Sequence, residues 1–65
     1  MKKIVYANKD IKIEGEFFTM TIKKGIIYKV EMVGSKVIQL MGDDNSVIFT
    51  TPSSFDKFVE KGELE

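Results

Sequence analysis

Residues 23–35, Lys23-Lys24-Gly25-Ile26-Ile27-Tyr28-Lys29-Val30-Glu31-Met32-Val33-Gly34-Ser35, restrict the fold more than any other stretch. They repeat with a period of two and carry a glycine turn signal at each end. That period belongs to a strand, because successive side chains point to opposite faces of an extended backbone. Ile26, Tyr28, Val30 and Met32 share one face and are expected in the core, whereas Ile27, Lys29, Glu31 and Val33 share the other. Gly25 suits a turn that needs positive φ, and Gly34-Ser35 fits a two-residue hairpin loop of type II′ with glycine first. Residues 36–41 then return antiparallel. The turn formers Gly42, Asp43, Asp44, Asn45 and Ser46 lead into a further strand over residues 47–51, which Pro52 ends because it lacks the amide donor of a ladder. The expected unit is a three-strand meander.

Upstream, residues 2–7 alternate as a first strand, with Ile4 and Tyr6 on one face and Lys3, Val5 and Ala7 on the other. Asn8, Lys9 and Asp10 form a turn. Residues 11–14 and 16–23 alternate on either side of Gly15, which is expected to bend one continuous ribbon as a bulge. Phe18, Met20 and Ile22 then face one way and Phe17, Thr19 and Thr21 the other. This leaves Phe17 exposed unless the bend turns it back into the core, and the turn into the core is the simpler reading. Downstream of Pro52 two readings stand open. In one, Ser53 caps a helix of about two turns that presents Phe55, Phe58 and Val59 and ends at Gly62. In the other, a 3₁₀ turn over residues 53–56 precedes a short closing strand through Phe58 and Val59. Residues 60–65 are expected to be a frayed acidic end.

The chain has 65 residues, so it allows one domain, and such a domain buries only about 60% of its unfolded surface. Its stability is expected to be marginal, which makes a bound partner or an oligomer a source of added stability. There is no cysteine and no histidine, which removes disulfides and thiolate or imidazole metal sites. A cytoplasmic setting is expected. No run reaches the roughly 18 apolar residues of a membrane span, and the first residues read as mature protein. Net charge is zero, yet residues 1–33 hold seven Lys against four acids (+3) and residues 34–65 hold three Lys against six (−3).

Short strands, tight turns and no long helix lead to an all-β domain, here expected as a small five-stranded antiparallel SH3-like barrel, since closure removes exposed edges. Phe18-Thr19, Lys24-Gly25, Tyr28, Val30, Asp43-Asp44 and Phe49 together resemble a group of short SH3-like proteins from phages and prophages of Gram-positive bacteria, most without an assigned activity. The resemblance covers roughly residues 16–51. It implies a fold, and a phage or mobile-element setting, but assigns no functional residue.

Catalysis finds little to work with. Without His or Cys the common nucleophile and base pairs cannot be assembled. Asp43 and Asp44 are adjacent on a turn and point apart, whereas general acid catalysis needs a desolvated carboxyl in a cleft. A calcium loop beginning at Asp43 would need glycine sixth and glutamate twelfth, where Ile48 and Ser54 stand. No cofactor is expected, and Met20, Met32 and Met41 are assigned to the core. What remains is a non-enzymatic protein-binding module, which the resemblance makes a phage or mobile-element accessory protein docking on a host protein, with Phe17, Lys29 and Glu31 as the expected contacts. The alternatives are a nonspecific single-strand nucleic-acid binder using Lys23, Lys24, Tyr28 and Lys36, and a self-associating structural protein. All ten basic residues are Lys, so the Arg fork that reads guanine edges is absent.

Overall fold

The alternation downstream of Gly25 is realised as a meander of β4 (Ile27–Val33), β5 (Val37–Gly42) and β6 (Val47–Thr50) in the computed structural model, which describes residues 2–65. β1 (Ile4–Tyr6) adds to the free side of β4, giving an antiparallel sheet of order β1-β4-β5-β6. Val33 pairs with Val37, so the first loop of the meander holds three residues, Gly34, Ser35 and Lys36. This corrects the two-residue loop. Gly34 still supplies the left-handed conformation, with φ at 73°. The second loop is also of three residues, Asp43 to Asn45, closed by Gly42 N donating to the Ser46 carbonyl at 2.8 Å. Asn45 occupies the left-handed region there with φ at 69°. Asn45→Ala is therefore expected to cost about 1 kcal/mol, and Asn45→Gly to leave stability within a few tenths or improve it. Urea midpoints of the two variants check this, and equal losses in both would place the strain elsewhere.

Residues 11–23 do not form one bent ribbon. β2 (Ile11–Glu14) and β3 (Thr19–Ile22) pair with each other in the register Ile11↔Ile22, Ile13↔Met20 and Glu14↔Thr19. Gly15 N donates to the Phe18 carbonyl at 2.8 Å, which leaves Glu16 and Phe17 at a hairpin tip. Phe17 is 91% exposed, so the expectation that it turns into the core is also corrected. The reason is register: once Glu14 faces Thr19, the chain has reversed and Phe17 at the tip projects into solvent.

Among the described residues the molecule is mainly β, with six strands in two sheets and one short helix, and no closed five-stranded barrel forms. β3 approaches the free edge of β6, but there the Phe49 amide donates to the Met20 Sδ at 3.4 Å. A thioether is a weak acceptor, and it stands where a closed barrel would have a carbonyl. This single contact is no substitute for a ladder.

After the meander the helical reading holds: α1 spans Pro52–Glu60. Its cap is Thr51, whose Oγ1 accepts from Ser54 N at 3.2 Å, and not Ser53. Proline fits the first helical position, because its missing N–H has no intrahelical acceptor to lose. The helix buries Phe55 and packs Phe58 and Val59 on the core. Gly62, with φ at 74°, ends it: Gly62 N donates to the Val59 carbonyl and Glu63 N to the Phe58 carbonyl, a Schellman arrangement. The chain then turns back along β1, where Leu64 bridges Ala7, and Tyr6 and Glu65 exchange both backbone hydrogen bonds at 2.8 and 3.0 Å. The tail is thus docked instead of frayed.

The core lies between the inner face of the four-stranded sheet, the β2–β3 hairpin and α1. Val5, Tyr28, Ile38, Leu40 and Ile48 come from the sheet, Ile11 and Ile22 from the hairpin, with Phe55 and Leu64 closing the end. Met32 has the inner-face parity of Tyr28 but sits near the end of β4 and is exposed, and Met41 lies on the outer face. Only Met20 of the three packs against the core, as a partly buried neighbour.

Candidate functional site

With Val5, Tyr28, Leu40 and Ile48 committed inward, the alternate residues of the same strands must all point outward. The registers then set Ile4 beside Lys29, Lys29 beside Met41, and Met41 beside Val47, a row crossing all four strands. A second row sets Glu31 beside Gln39 and Gln39 beside Phe49. Tyr6 pairs with Ile27 at one end of the face and Val33 with Val37 at the other. Same-face neighbours on paired strands sit about 5 Å apart between Cβ atoms, so these residues form one continuous surface. Ile4 is 60% exposed, and Tyr6, Ile27, Val33, Val37, Met41, Val47 and Phe49 are all exposed as well. The hairpin meets this face at its Val37–Phe49 margin, where Ile13 and Phe18 line a groove with those two residues. A shallow groove on the face itself is lined by Ile4, Ile27, Lys29 and Met41 and runs to the Asp43–Asn45 loop.

Lys29 and Glu31, two residues apart on β4 and both exposed, are the charged groups at the centre of this face, with Lys2 beside Ile4 and Glu31 at the β1 margin and Asp43 at the loop margin. Among the described residues neither Lys29 nor Glu31 is in an ion pair; the two that form are Lys9–Glu63 and Lys12–Glu14. At the edge of the face Asp44 is already occupied. Its Oδ1 accepts from Ser46 Oγ at 2.6 Å and from Ser46 N at 3.0 Å. The Ser46 side-chain hydrogen bond, then the backbone one, hold the Asp44 carboxyl below its ordinary range. An ionised, hydrogen-bonded carboxylate on an open turn stabilises the turn and is a poor proton donor.

Of the residues singled out from the sequence, Lys29 and Glu31 lie together on this face. Phe17 is not with them. It stands at the β2–β3 tip, beside Phe18, which with Ile13 lines a groove against Val37 and Phe49 at the margin of the face. The basic set does not converge either. Lys23 and Lys24 precede β4 and Lys36 follows it, so about 20 Å of strand separates them. Tyr28 is 0% exposed, with its hydroxyl accepting from Lys23 N at 2.9 Å, so it offers no ring face on which a base could stack. Lys24 N is held by Asp10 Oδ1 at 2.8 Å, which places an acid beside that turn. Among the described residues no group of three or more acids, His or Cys converges as a metal site, and no helix is long and apolar enough to cross a membrane.

Sequence reasoning about β4 alone missed Ile4, Tyr6, Met41, Val47 and Phe49 as members of the same face. The signal was parity: each stands an even number of positions from an outward residue of its own strand once the pairing is fixed. Comparison with family models, with curated proteins and with solved structures finds no match to the chain.

Proposed function

We propose that the protein is a non-enzymatic protein-binding module whose contact surface is the outer face of the β1-β4-β5-β6 sheet. One observation carries this: eight exposed apolar side chains from four strands surround Lys29 and Glu31 on a single sheet face. Scattered surface apolar residues are ordinary, but a contiguous patch beyond a few hundred Å² marks an interaction site. An open sheet face with shallow grooves suits a protein surface better than a small molecule. The resemblance to short phage and prophage proteins makes a host protein one such partner.

The test uses tagged wild-type chain and its Met41→Lys variant as baits in bacterial lysate, with untagged chain added to both. Met41 is exposed, so the variant is expected to keep its far-UV circular dichroism. The wild type should retain protein, either the untagged copy or another polypeptide, and Met41→Lys should lose it. Identical retention by both baits, or none by either, would overturn the assignment of the face.

A further inference from the structure

Resting on the reading of the outer sheet face as a protein-contact surface, we propose that its occupant is a second copy of this chain, packed face to face about a two-fold axis between Lys29 and Glu31. The argument begins with the charges. Covering this face takes Lys29 and Glu31 out of water together, and an uncompensated buried charge costs several kcal/mol. An occupant that sets a carboxylate over Lys29 and an amine over Glu31, spaced by two strand residues or about 7 Å, compensates both charges. The face itself supplies that pattern. Turned by a two-fold axis through the midpoint of the two positions, it brings Glu31 of one copy over Lys29 of the other, twice.

Area and field agree with this. The eight exposed apolar residues present on the order of 700 Å², close to the roughly 800 Å² per partner of a standard interface. The centre of the face carries one positive and one negative side chain, its margins carry both signs in Lys2 and Asp43, and the whole chain has zero net charge, so two copies meet without net long-range repulsion. Sheets packed in this way lie about 10 Å apart with strands within about 30°, which lets Ile4, Ile27, Met41 and Phe49 interdigitate around the paired charges. An isologous contact of this kind closes as a dimer and leaves no further face to propagate.

Sedimentation equilibrium in the micromolar range tests the proposal, with far-UV circular dichroism as the control for folding. The wild type should be dimeric. Lys29→Glu and Glu31→Lys should each weaken dimerisation by about tenfold or more, because each places like charges opposite one another twice. Mixing the two single variants, or combining both changes in one chain, should restore the dimer. A wild type that stays monomeric, or a dimer indifferent to both single reversals, would overturn the proposal. If the wild type is monomeric while lysate protein is still retained in a Met41-dependent way, the second-copy proposal falls and the contact surface stands.

Discussion

Leu64→Ala is expected to lower the melting temperature by about 10–20 °C and leave the variant partly unfolded near 37 °C. Leu64 is 1% exposed although it stands between two glutamates. Removing a buried leucine side chain costs about 2–5 kcal/mol, made up of lost transfer free energy and the cavity left behind. A chain of this length holds only about 3–10 kcal/mol in total, and each kcal/mol moves the midpoint by about 4–8 °C in so small a domain. The loss also spreads. Leu64 anchors the segment that exchanges hydrogen bonds with Tyr6 and donates to the Phe58 carbonyl, so its release frees the edge of β1. Leu64→Met keeps the volume and should stay within about 1.5 kcal/mol of wild type. A shift of only a few degrees in Leu64→Ala would mean that the tail does not dock on β1.

Tyr28→Ala is expected to be at least as damaging, at about 3–5 kcal/mol for the aromatic ring alone. Tyr28 is among the largest fully buried side chains, and its hydroxyl accepts the Lys23 amide at 2.9 Å. Truncation therefore opens a cavity between the sheet and the hairpin and also leaves a partly buried amide without its acceptor. Tyr28→Phe separates the two effects, since it keeps the ring and removes the oxygen, and should cost about 1 kcal/mol. Urea unfolding of the pair measures both. If Tyr28→Phe loses as much as Tyr28→Ala, the hydrogen bond outweighs the packing; if neither moves the midpoint, the ring is not in the core.

The meander was legible because a period of two over residues 26–51 has few competing explanations, and the turn formers between its strands are dense. Gly15 was less informative. Glycine in an alternating run signals either a bulge or a reversal, and the choice depends on whether the flanking runs pair. The information lay in their symmetry: Ile11 and Ile13 mirror Ile22 and Met20 about positions 16 and 17. Thr51-Pro52 likewise held a helix start, because proline is well placed at the first helical position, while Ser53, also a favoured cap residue, stands two positions further on. Leu64 could not be placed from its neighbours. Its burial depends on the turn at Gly62 and on the exposed edge of β1, which only the assembled fold brings together.

The candidate surface was half legible. Lys29 and Glu31 stand out as an outward charged pair on an otherwise apolar strand, and that survives in the fold. Phe17 was grouped with them as an exposed aromatic, but the β2–β3 pairing puts it at the hairpin tip and not on the sheet face. Met41 read as core because it is apolar and methionine fills irregular space; its parity with Lys29 puts it outside. A surface made of alternate residues from four strands is invisible in any one of them.

The most direct test of the outer face as the contact surface between two copies of the chain is a concentration series of amide chemical shifts in the isotope-labelled wild-type protein. Amides of Ile4, Lys29, Glu31, Met41 and Phe49 should move together as concentration rises through the micromolar range, while those of Lys12 and Thr21 on the hairpin stay fixed. Spectra that superimpose at all concentrations, or shifts confined to the Phe17 tip, would contradict the account.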